Sequence, residues 1–227
     1  MTPGKTASRS RSTATTAARL ETRLKRREAE LPESTRIRLH RAISWLRRAE
    51  AENDDLDTRF ILLWIAFNAV YAKEFGFEHT EREKLELFIS ALLAVDERKK
   101  LHRLLFRQFT GPIRTMIQNR YVYEPFWKAY REHDSSNQWE ERFKRSIQVA
   151  LRSLMQGETG TVLSIVFDRL YVLRNQLIHG GATWNSQVNR SQLKDGASIL
   201  MALVPQIVSL MIDHAELDFG GVLYPPI

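Results

Sequence analysis

The stretch Phe60-Ile61-Leu62-Leu63-Trp64-Ile65-Ala66-Phe67-Asn68-Ala69-Val70-Tyr71 decides the fold class. Asp54, Asp55 and Asp57 precede it, where negative charge suits the start of a helix, and Gly76 follows as a stop. A helix from about 56 to 75 with this composition is apolar nearly all round. It must therefore be covered on several sides, as the central member of a bundle or the seam of a dimer. Asn68 interrupts the run, which falls short of the roughly 20 residues a bilayer crossing needs. The chain is accordingly expected to keep out of the membrane.

The flanking sequence carries the same helical period. Ser34 is the expected N-cap of a helix over 34–52, in which Ile37, Ala42 or Ile43, Trp45 and Leu46 recur at three-to-four-residue spacing. Thr80 and Glu83 have capping-box spacing ahead of Leu85, Phe88, Ile89 and Leu92. Further helical patches cover 96–109, 124–131 and 138–155, with breaks expected near Gly111-Pro112, His133 and Gly157. Two strong helices close the chain, over 159–179 and 190–214. Gly180 ends the first in the left-handed conformation, and Pro205 is expected to kink the second. No strand pattern competes. The predicted fold is all-α, with helices over 34–52, 56–75, 159–179 and 190–214 and a helical insertion over 78–156.

The 227 residues include 34 Lys or Arg, 27 Asp or Glu and no Cys, so disulfides, cysteine-ligated metal sites and thiol nucleophiles are excluded. A reducing, cytoplasmic setting suits such a chain, and no secretory apolar segment follows Met1. Most of the basic excess sits at one end. Residues 1–48 hold thirteen Lys or Arg against four Glu, a balance of +9; the remainder holds twenty-one against twenty-three, a balance of −2. Residues 1–30 are expected to form a largely disordered basic arm, with a helical domain over 31–227. Arg19, Arg23, Lys25, Arg26 and Arg27 would draw a polyanion to this arm through counterion release, which makes RNA a candidate partner.

The segment Leu173-Arg174-Asn175-Gln176-Leu177-Ile178-His179-Gly180-Gly181 gathers a guanidinium, an amide and an imidazole at the end of an apolar helix. Asn175 and His179, four apart, share a face. Arg174 and His179, five apart, are separated by about 140° on a regular helix. Convergence of the two requires unwinding at Gly180-Gly181 or a second copy of the chain. The same residues also suit an ordinary helix end, since cations complement the dipole there and glycine stops the turn.

The R-x4-H spacing with Asn directly after the Arg, together with the Trp64–Tyr71 helix and the Trp184-Asn-Ser-Gln-Val-Asn-Arg190 segment, resembles the HEPN (higher eukaryotes and prokaryotes nucleotide-binding) domain. The likeness covers some 110 residues and points to a bacterial group with defence-linked members. It implies an up-and-down four-helix bundle with core helices at 34–52, 56–75, 159–179 and 190–214, and a metal-independent endoribonuclease needing no cofactor, with Arg174, His179 and Asn175 as its catalytic residues. It also implies a homodimer in which two protomers line one cleft, and a toxin or defence role with an antitoxin or defence-system partner protein. The alternative within the family is a non-catalytic module that binds nucleic acid, a nucleotide or a protein.

Tyr121, Tyr123, Phe126, Trp127 and Tyr130 are interleaved with Arg120 and Lys128, a mixture suited to stacking bases and gripping phosphates. Aromatics at this density more commonly fill a core, which is the expectation here. Asn68 is expected to be a buried amide satisfied by a neighbouring helix. The histidines outside the motif show no metal-ligand spacing, and no phosphate-cradling glycine loop is present.

Overall fold

A computed structural model describes residues 16–71, 81–217, 219–222 and 224. Among these the chain is helical throughout: α1 (Thr16–Arg27), α2 (Glu33–Ala51), α3 (Leu56–Tyr71), α4 (Glu81–Val95), α5 (Lys100–Arg103), α6 (Thr110–Gln118), α7 (Glu124–Arg131), α8 (Gln138–Gln156), α9 (Thr159–Ile178) and α10 (Arg190–Asp213). A π-helical turn, Leu104–Gln108, extends α5. No strand occurs among the described residues, so the all-α expectation holds.

The apolar run occupies the centre, as its composition requires. Phe60, Leu63, Ala66, Phe67 and Val70 are fully enclosed. α2 and α10 pack along α3, while α9 meets it through aromatic rings: Phe67 and Phe167 stack at 4.2 Å between centroids. α9 and α10 approach closely at Gly196, where an added Cβ would stand 2.7 Å from Leu170 and 3.1 Å from Phe60. Glycine is needed there for proximity. α2, α3, α9 and α10 share one hydrophobic core with α1, α4, α6 and α8, the last three laid against the other sides of α9.

α10 is also long and apolar enough to cross a bilayer, a property the sequence reading assigned to no segment. Its apolar window is 72% buried inside the fold, and its outward surface is the remainder. Pro205 lies buried within the helix, which continues through it to Asp213.

Several local expectations require correction. Residues 16–27, expected to be disordered arm, form α1. Ala17, Leu20 and Leu24 recur on one face and are buried against α2 and α10, and burying each leucine contributes about 1.5–3 kcal/mol. Only three apolar positions mark this face, which is why a charge-rich composition concealed it. Residues 1–15 lie outside the described residues, as do Gly76, Thr80 and the end expected for the helix over 56–75. α2 starts at Glu33 behind Pro32, so Ser34 sits inside the first turn rather than capping it, and Trp45 lies on the exposed side of the helix rather than in the core. Gly111-Pro112, expected as a break, lies in the first turn of α6, where proline's missing N–H has no helical partner to lose. Asn68 is half-buried and its side chain makes no hydrogen bond among the described residues, so it is no satisfied core amide.

Candidate functional site

The last two turns of α9 alternate between core and surface. Leu170 and Leu173 face inward, whereas Tyr171, Arg174, Asn175 and Ile178 form the outer side. The helix ends as the glycine pattern predicts, with Gly180 at φ 68° and Ala182 N–H donating back to the Gln176 carbonyl at 3.0 Å. His179 is the cap residue and is exposed; its backbone N–H donates to the Asn175 carbonyl at 3.0 Å.

Arg174 Nη1 donates to Asn175 Oδ1 at 2.8 Å, and the guanidinium carbon lies 5.6 Å from the centre of the Tyr171 ring. Its Nε is enclosed without a partner, and no carboxylate lies within 4.0 Å among the described residues. The imidazole of His179 makes no hydrogen bond among them either. Within one chain, then, Asn175 orients Arg174, but no hydrogen bond joins Arg174 to His179. α9 stays regular to Ile178, so unwinding does not bring the two together.

A chain of amides fastens the aromatic segment to this end of α9. Gln176 Nε2 donates to the Tyr121 carbonyl at 2.8 Å and its Oε1 accepts from Asn189 Nδ2 at 3.0 Å. Asn189 Oδ1 in turn accepts from Asn119 Nδ2 at 3.2 Å. The aromatics expected to fill a core instead lie at the surface: Tyr121 and Tyr130 are 39% and 68% exposed. Phe126 and Trp127 are half-buried, and Arg120 stands 5.0 Å from the Tyr121 ring centre and 5.5 Å from that of Phe126. Tyr123 and Phe126 pack on Phe143 and Trp139 of α8, each at 5.0 Å between ring centroids, which leaves Tyr121 and Tyr130 outermost. Lys128 is exposed beside these rings, with no side-chain partner among the described residues.

The loop after α9 is pinned to the start of α3. Asp55 caps that helix, accepting from the backbone N–H groups of Asp57 at 2.9 Å and Thr58 at 3.1 Å. Its second oxygen takes the indole N–H of Trp184 at 2.9 Å. Burial raises the Asp55 pKa, but the hydrogen bonds from Thr58, Trp184 and Asp57 outweigh it and hold the carboxyl below its usual range. Asp57, buried, accepts from the Asn185 N–H at 2.6 Å and pairs with Arg190 at 2.5 Å. In the sequence these aspartates mark only a helix start, because their partners are over 120 residues distant.

Comparison with known protein families, curated proteins and solved structures returned no match. The arrangement of side chains is therefore what speaks to function.

The expected RNA-binding residues of the arm fall into two groups. Arg23 bonds Ser209 and pairs with Asp213 at 2.5 Å, and Arg27 donates to the terminal carbonyls of α10, Ile212 and Asp213, both at 2.9 Å. These two arginines cap a helix end, where cations suit the dipole, and are corrected from a free arm to structural contacts. Arg19, Lys25 and Arg26 remain at the surface of α1, with Arg19 bonded to Thr16 and Lys25 near Glu21 at 3.7 Å.

Proposed function

We propose that this chain is a HEPN-like, metal-independent endoribonuclease acting on single-stranded RNA in the cytoplasm. The observation that carries the reading is Arg174. Its guanidinium is held by Asn175 at the surface end of α9, without a carboxylate partner among the described residues, in the same two turns as the unpartnered imidazole of His179.

The chemistry follows from RNA itself, which carries its nucleophile. Removal of the 2′-OH proton lets O2′ attack the adjacent phosphorus, and the P–O5′ bond breaks as the leaving oxygen gains a proton. The products carry 2′,3′-cyclic phosphate and 5′-OH ends. His179 transfers protons, and Arg174 stabilises charge on the phosphate oxygens of the transition state. Asn175 positions Arg174. Because one chain leaves Arg174 and His179 unjoined, the active species is a homodimer in which two copies line one cleft. The exposed Tyr121–Tyr130 patch, tethered to α9 by Gln176, supplies stacking surfaces, with Arg120 and Lys128 beside them for the phosphates.

The test is incubation of the full chain with single-stranded RNA in excess EDTA, followed by end-group analysis. Cyclic-phosphate ends are expected. His179→Ala and Arg174→Met should each lower the rate by about 100- to 10,000-fold while helical content and dimer persist. Undiminished cleavage by either variant overturns that residue's role. RNA that is bound but never cut favours the non-catalytic binding module.

A further inference from the structure

On the side of α9 away from its end, Arg169 is buried to 4% exposure with Tyr123 and Phe143 at 4.5 and 5.8 Å from its guanidinium carbon. Nη2 donates to Ser146 Oγ at 3.1 Å, and Nε is enclosed with no partner. Nη1 has no hydrogen bond either, but unlike Nε it is not enclosed. No carboxylate lies within 4.0 Å of this guanidinium among the described residues.

A cavity of about 480 Å³ opens beside it, walled by Ser146, Val149, Ile165, Tyr171 and Val172. Its two carboxylates are already engaged by other arginines, Glu124 with Arg131 at 3.1 Å and Asp168 with Arg82 at 3.5 Å. A buried cation with no carboxylate in contact is costly to fold, and burial pushes Arg169 down to about 10 although Tyr123 and Asp168 partly oppose this. The volume lies in the range of small-molecule sites, which pair an apolar wall with a few convergent polar groups.

We propose that this cavity binds a small organic oxyanion, a phosphate or carboxylate head on a flat apolar body, with Arg169 gripping the head through Nη1. The apolar body lies against Val149, Ile165 and Tyr171, and the guanidinium's planar donors match either head group. This site uses none of the residues assigned to cleavage, so it stands or falls separately.

Calorimetric titration of the full chain with phenyl phosphate, benzoate, benzamide and inorganic phosphate is the test. One or both organic anions should bind saturably at millimolar concentration; which of them does identifies the head group. Benzamide and inorganic phosphate should bind at least about tenfold more weakly. Arg169→Met, and independently Val149→Trp at the cavity's rim, should each weaken anion binding by about tenfold or more with helical content retained. Val149 is 52% exposed, so its substitution leaves the core intact should Arg169→Met fail to fold. Absence of binding by both organic anions, benzamide binding equal to that of the tighter organic anion, or undiminished binding by a folded variant overturns the proposal.

Discussion

Gln176 Nε2 donates to the main-chain carbonyl of Tyr121 at 2.8 Å, which fastens the aromatic segment to the end of α9. Gln176 lies two residues beyond Arg174, and its other amide atom binds Asn189. Gln176→Ala removes both bonds and should cost about 1–2 kcal/mol, read as a lowered urea midpoint. Under the proposed function it should also weaken RNA binding, although Gln176 itself need not touch the substrate. A variant with unchanged stability would show that the tether contributes nothing.

Tyr130 is 68% exposed, so its ring supports little of the fold. Tyr121→Ala and Tyr130→Ala should each weaken single-stranded RNA binding by about 1–3 kcal/mol if a base stacks there, whereas Tyr130→Phe retains affinity. Tyr130→Ala should change stability by no more than about 0.5 kcal/mol. Fluorescence anisotropy with a labelled oligonucleotide reads the first effect. Equal affinities across the series would remove RNA from this patch.

The Asp55 carboxyl is held below its ordinary value in the folded chain. Its charge therefore adds stability above the unfolded pKa near 3.8, and that contribution is lost as pH falls through the lower, folded value. Asp55→Asn keeps a capping side chain but removes the titration. The difference in unfolding free energy between wild type and variant should favour wild type at pH 7 and shrink towards pH 3. A pH-independent difference, measured by urea unfolding, would contradict the assignment.

Gly196 in α10 is a trade between propensity and space. Alanine would gain about 1 kcal/mol of helix propensity, yet its Cβ would meet Leu170 at 2.7 Å and Phe60 at 3.1 Å, both fully buried. Overpacking in a closed core costs about 1–3 kcal/mol, so Gly196→Ala should be net destabilising in denaturant unfolding. Net stabilisation would show that α9 and α10 can separate at little cost.

The helical class and the positions of α2, α3, α9 and α10 were legible in the chain because each follows from local spacing. The apolar run around Trp64 has no polar face to offer water, and Gly180 ends α9 in the left-handed turn that glycine favours. The α1 helix was not legible in the same way. Leu20 and Leu24 are sparse among arginines, and their burial depends on α2 and α10 lying beside them.

For the site, sequence alone brought Arg174, Asn175 and His179 into one segment and placed Asn175 and His179 on one helical face. Tertiary structure decided what each side chain meets. It spent Arg23 and Arg27 on the end of α10, turned Tyr121 and Tyr130 to the surface, and enclosed Arg169 without a carboxylate. The division has one physical cause: periodicity is a property of neighbours along the chain, whereas burial and charge pairing depend on groups that only folding brings within a few ångströms.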